Sequence, residues 1–250
     1  MRILALDSSG LVASVAIVEE EQVLAEYSVN YKKTHSQTLL PMLDEISNMI
    51  ELDLSTIDAI AVSGGPGSFT GLRIGSATAK GLGLALDKPL ISIPTTAAIA
   101  YNIWDTDKFV CPIMDARRNQ VYAGLYCYTD HHLDTIWEQD ALSIEALAEG
   151  LNCLDHEVIF LGDGVAVYRE KLEALLTIPF SFAPAHVNRQ RAAAVGALAE
   201  VYYKEGKIQT AEEHEPEYLR KSQAERERAE RESVKHADVV KKQENGERNE

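Results

Sequence analysis

The stretch IDAIAVSGGPGSFTGLRIGSATAKGLGLAL, residues 57–86, constrains the fold more than any other part of the chain. A short, continuous apolar run at 57–62 reads as a buried strand, and Gly64, Gly65, Pro66 and Gly67 then turn the chain. Ser68 or Thr70 is placed to cap a helix over 70–86. The order strand, glycine turn, helix recurs at 158–161, 162–164 and 165–176. Two such units in one chain predict an α/β protein built from two similar halves.

The segments around these units fit that layout. Residues 3–29 contain three β-like runs separated by Asp7-Ser8-Ser9-Gly10 and by an acidic turn, which predicts an antiparallel meander. Leu39, Leu43, Ile46 and Ile50 recur at helical spacing between Ser36 and Glu51. Strands follow at 90–93 and, as a pair joined by the polar turn 115–120, within 109–128. Helices are expected near 143–152 and over 188–204. From Ser222 onward scarcely any large apolar side chain remains, so a frayed helix or disorder is expected there.

Composition limits the chemistry. Lys and Arg number 24 against 39 Asp and Glu, a net charge of −15, which opposes strong direct binding to a phosphate backbone. No apolar run approaches the ~18 residues of a membrane-spanning helix, and the first ten residues lack a leader-like apolar segment. A cytoplasmic protein is the resulting expectation. Cys111, Cys127 and Cys153 lack the paired spacing of a zinc site, and the seven histidines form no ligand motif. Neither GxGxxG in the dinucleotide order, GxxxxGK[ST] nor GxSxG occurs.

Two features remain as candidate sites. Asp7 and Ser8 in the first turn, with Gly67 and Ser68 at the helix start, could offer hydroxyls and backbone N–H groups to an anion such as a nucleotide phosphate. They could equally be ordinary turn and cap residues. Gly71, Gly75, Ala79 and Gly83 fall four apart and leave one helix side almost without side-chain bulk. Gly75, Gly81 and Gly83 cost that helix ~3 kcal/mol relative to alanine, which close packing must offset, against either the sheet or a partner. Asp115, Arg117, Arg118 and Tyr122 form a further polar group on the second hairpin, readable as a solvated turn.

The blocks LALDSS (4–9), HSQTLLPML (35–43), SGGPGSFTGLRIG (63–75), MDARRNQVYAGLY (114–126) and PEYLR (216–220) resemble the TsaB, or YeaZ, family. The resemblance implies the two-lobed α/β fold of actin, Hsp70 and sugar kinases (ASKHA), each lobe a mixed sheet with flanking helices. It divides the chain into a first lobe at 1–103, a smaller second lobe at 104–221, and the charged tail 222–250.

It further implies a non-catalytic subunit that supports the transferase TsaD in placing threonylcarbamoyl on adenosine 37 of tRNAs reading codons that begin with A. A TsaE-like ATPase would join the complex, ATP or ADP could lie at the subunit junction, and no cofactor would be tightly bound. The resemblance assigns the partner surface to Leu39, Leu43, Ile46, Gly71, Gly75, Ala79 and Gly83, and implies a homodimer when the chain is alone. Thr95 and Ile99 stand where TsaD carries its two metal-binding histidines. The competing reading is an independent ATP-binding phosphotransferase of the same fold.

Overall fold

The computed structural model describes residues 1–31 and 34–220, so the expectation for the tail at 222–250 lies outside the described residues. Met1–Glu217 form one compact unit, and a second begins at Tyr218.

The meander is β1 (Arg2–Asp7), β2 (Val12–Glu19) and β3 (Gln22–Asn30). Two parallel strands, β4 (Ala59–Gly65) and β5 (Leu90–Pro94), complete a sheet ordered β3-β2-β1-β4-β5. Ala5 sits opposite Ala16 on one side and Ala61 on the other, which sets the register of the central strands. These strands are apolar at nearly every position because both faces of the sheet are covered. Leu4, Leu6, Val15, Ile17, Ile60 and Val62 point to the side carrying α1 (Leu39–Met49) and α2 (Phe69–Leu86). Ile3, Ala5, Ala16, Ala61 and Ile91 point to the other side, against α3 (Thr95–Ala100) and α6 (Ala192–Lys204).

The second sheet repeats the first. It contains β6 (Phe109–Arg117), β7 (Gln120–Thr129), β8 (His132–Ser143), β9 (Val158–Leu161) and β10 (Phe180–Phe182), in the order β10-β9-β6-β7-β8. A three-stranded meander again carries two added parallel strands. The helices α4 (Ile144–Asn152) and α5 (Val165–Leu175) occupy the connections that α1 and α2 occupy in the first half. Both pack into a core built on Ile113, Leu125 and Phe160.

The third helix of each half crosses over. Helix α3 follows the first sheet yet packs on β6 and β7, while α6 follows the second sheet and packs on β1 and β2. One hydrophobic core therefore includes Ile3 and Ile91 from the first sheet, Val110 and Leu161 from the second, and both helices. This corrects the division at residue 104. Residues 192–204 belong with the first sheet, and so does the segment that follows them, where Gln209 pairs with Leu90.

Candidate functional site

The Asp7–Gly10 turn and the glycine turn at 64–67 bring β1 and α2 into contact at the end of the first sheet. Asp7 is fully buried there, and its carboxylate accepts from the Ser9 N–H at 2.9 Å, the Ser9 hydroxyl at 2.7 Å and the Ser63 hydroxyl at 2.6 Å. Burial pushes its pKa above the ordinary carboxylate value, against the opposing pull of these hydrogen bonds. The Ser8 hydroxyl donates to the Gly71 carbonyl at 2.9 Å, and the Ser68 N–H donates to the Ser9 carbonyl at 2.7 Å. Ser68 caps α2 by accepting from the Gly71 N–H at 3.3 Å.

This contact corrects the anion-site expectation for Asp7, Ser8 and Gly67. Their polar groups are brought together as the sequence suggested, but they are turned onto one another. A Cβ on Gly67 would lie 2.3 Å from the Ser9 carbonyl oxygen, so the turn entering α2 packs against the chain's own backbone at that point. Ser68 alone of the four is exposed.

The gap between the sheets is closed by residues 188–193. Arg189 donates to the Gly162 carbonyl at 2.9 Å, and the Gly162 N–H donates to the Asn188 carbonyl at 3.0 Å. Gln190 is buried against Gly10, and its amide nitrogen lies 2.5 Å from where a Cβ of residue 10 would be. Arg191 reaches Glu26 on β3, with Nε 3.2 Å from a carboxylate oxygen, and the Ala192 N–H donates to Ser14 at 2.8 Å. Further along the same gap, Gln139 of β8 donates to the Gly65 carbonyl at 3.1 Å and to Glu217 at 2.7 Å, and accepts from Thr96 of α3 at 2.8 Å. Asp115 sits beside the second glycine turn, paired with Arg117 at 3.0 Å, and its N–H donates to Asp163 at 3.3 Å.

The small-residue stripe of α2 also faces inward, which corrects the assignment of those positions to a partner surface. A Cβ on Gly71 would lie 2.1 Å from the Ser8 carbonyl oxygen, and one on Gly75 would lie 2.5 Å from the Ser8 hydroxyl. Ala79 is buried in the core, and Gly83 packs on Leu90 and Ala211. Leu39, Leu43 and Ile46 lie in the same core beneath α1, where burial of each contributes about 1.5–3 kcal/mol. The physical reason is close cover of the sheet along the length of α2: Gly71 and Gly75 admit Ser8 at the end of β1, and Gly83 admits Leu90 at the start of β5.

The opposite faces of these helices are open. On α2 they carry Arg73, Ala77, Gly81 and Leu84, and Arg73 stacks over the Phe69 ring at 4.1 Å. Among the described residues Gly81 has no atom within 4 Å of a Cβ position, so none of them offsets its cost to the helix. Leu84 is 64% exposed, and on α1 Leu40 and Met49 are 52% and 74% exposed. Sequence reading missed this face because Arg73, Ala77 and Gly81 share the fourfold spacing of the inward stripe, which absorbed the signal.

Thr95 and Ile99 on α3 are both fully buried. Among the described residues, no group of three or more His, Cys, Asp or Glu side chains is arranged to hold a metal ion. No helix of the described residues is long and apolar enough to cross a membrane.

A duplicated three-plus-two sheet, with one helix from each half wedged between the sheets, is the two-lobed architecture of actin, Hsp70 and the sugar kinases. A polyphosphate/ATP-glucomannokinase from an Arthrobacter strain shares it, with a TM-score of 0.50 at 15% identity over 81% of this chain and 99% of that one. The profile of the family described as "TsaD: tRNA N6-adenosine threonylcarbamoyltransferase" matches residues 22–228. The protein named tRNA threonylcarbamoyladenosine biosynthesis protein TsaB from Bacillus subtilis is 32% identical over 225 residues, 90% of this chain and 96% of that protein. The Escherichia coli protein of the same name is 31% identical over 229 residues, again 90% and 96%. YeaZ from Pseudomonas aeruginosa superposes with a TM-score of 0.76 at 29% identity, covering 87% of this chain and 99% of that one. The chain belongs to the TsaB (YeaZ) family of the ASKHA superfamily.

Proposed function

We propose that this chain takes part in forming threonylcarbamoyladenosine in tRNA as a non-catalytic subunit. It binds and supports a TsaD-type transferase that places threonylcarbamoyl on adenosine 37 of tRNAs reading codons that begin with A. The names of its relatives support the pathway, and the outward face of α2 supports the role. That face combines an unoffset glycine, Gly81, with Ala77 and the exposed Leu84, so another helix could approach its backbone closely. Leu40 and Met49 of α1 extend the apolar surface on the same side of the sheet.

In this reading the same face pairs with a second copy when the transferase is absent. A TsaE-like ATPase joins the assembly, and the chain carries no tightly bound cofactor. ATP or ADP sits at the subunit junction, held chiefly by the partners, since Asp7, Ser8 and Gly67 are turned inward here. The net charge of −15 leaves tRNA binding to the other subunits and suits a protein working in the cytoplasm. The role is tested by titrating the chain with its host's TsaD-type transferase and comparing Gly81→Leu with the parent. A tenfold or greater loss of affinity is expected, and unchanged affinity removes α2 from the interface.

A further inference from the structure

Residues 205–217 leave α6 and return along the first sheet. The Leu90 N–H donates to the Gln209 carbonyl at 2.8 Å, and the Gln209 N–H donates back at 2.9 Å. Because β5 ends the sheet, this pairing covers its outer edge at Leu90. Ala211 is buried beside Gly83 of α2. Lys80 of α2 donates to the carbonyls of His214 at 2.8 Å and Glu212 at 3.3 Å, and the Glu217 N–H donates to the Gly64 carbonyl at 2.7 Å.

His214 lies between these anchors and is 1% exposed. Its Nδ1 is 2.7 Å from the Gln209 amide nitrogen, which donates to it, so the ring proton resides on Nε2. That Nε2 has no partner among the described residues. A second proton would have to enter at Nδ1, where it meets the Gln209 N–H head-on. The resulting imidazolium would be buried beside the Lys80 ammonium, with Glu215 as the acid that offsets it. Glu213 is turned away, accepting from the Thr210 N–H and hydroxyl at 2.9 Å.

We propose that residues 205–217 form an acid-released strap whose trigger is His214: docked while the ring is neutral, and freed from the β5 edge and from α2 once it is protonated. Burial and Lys80 both hold the His214 pKa below its ordinary value of 6.5. The docked strap therefore binds fewer protons than the released one. Docking is complete above about pH 6.5 and weakens as pH falls below it, by at most about tenfold per pH unit.

The test is an NMR titration of the full chain from neutral to mildly acidic pH, following the His214 ring together with the exchange protection of the Leu90 and Gln209 amides. His214 is expected to titrate below the ordinary histidine value of 6.5, with protection at both amides falling as it does. A His214 that titrates at or above 6.5 overturns the proposal, as does protection that stays constant through its titration. In a His214→Gln variant, protection should no longer follow pH; if it still falls, the trigger lies elsewhere. Should that variant fail to fold, the wild-type titration alone decides.

Discussion

Alanine substitutions at Gly81 and Gly71 probe the two faces of α2 with the same chemical change. At Gly81 the new methyl meets no atom of the described residues within 4 Å, so only the helix preference changes, a gain of about 0.8–1 kcal/mol. For a domain of this size that raises the melting temperature by about 2–4 °C. At Gly71 the same preference is gained, but the methyl would sit 2.1 Å from the Ser8 carbonyl oxygen. Both groups are fixed by backbone, and relieving such a clash costs typically about 1–3 kcal/mol, which cancels the gain or exceeds it by up to about 2 kcal/mol. Chemical denaturation of both variants reads the difference directly. A destabilised Gly81→Ala, or a Gly71→Ala stabilised as much as Gly81→Ala should be, would refute the orientation assigned to α2 and the partner face that follows from it.

Other substitutions test the closed cleft. Asp7→Ala leaves the Ser9 N–H and two buried hydroxyls without their acceptor and is expected to cost about 2–4 kcal/mol in denaturant titrations. Because burial raises the Asp7 pKa, its contribution to stability is greatest below 3.8 and is lost as pH rises through the folded-state value; Asp7→Asn should flatten that part of the stability profile. Gln139→Leu removes its bonds to Gly65, Glu217 and Thr96 and should lower stability by about 1–3 kcal/mol, measurable by calorimetry. Glu26→Gln weakens the tie from Arg191 that closes the gap, and a loss of roughly 1 kcal/mol is expected from urea unfolding.

The duplicated layout was legible because each half carries the same order of apolar strand, glycine turn and helix, at 57–86 and 158–176. Strand β8 was not, since acids at 134, 138 and 140 break up the apolar pattern of an edge strand with an exposed side. The six-residue α3 lies entirely in the core, and uniform burial erases the periodicity that would have marked it. The crossing of α6 onto the first sheet depends on packing between segments nearly two hundred residues apart, such as Ala192 with Ser14, which no local pattern encodes. At the candidate site, residue types were legible and direction was not. The spacing Gly71, Gly75, Ala79, Gly83 identified a close-packed helix face, but a stripe of small side chains reads the same whether its neighbour is Ser8 of its own chain or another subunit.

The central claim is that the chain supports a transferase through α1 and α2, and reconstituted transfer tests it most directly. Threonylcarbamoyl incorporation into tRNA by the host's TsaD-type enzyme, with the TsaE-like ATPase present, would be measured without this chain, with it, and with Gly81→Leu. The account predicts that incorporation depends on the chain and drops with the variant in step with its weakened binding to the transferase. Incorporation at the same rate without the chain would contradict the supporting role, and full activity of a Gly81→Leu chain that still binds normally would contradict the assigned surface.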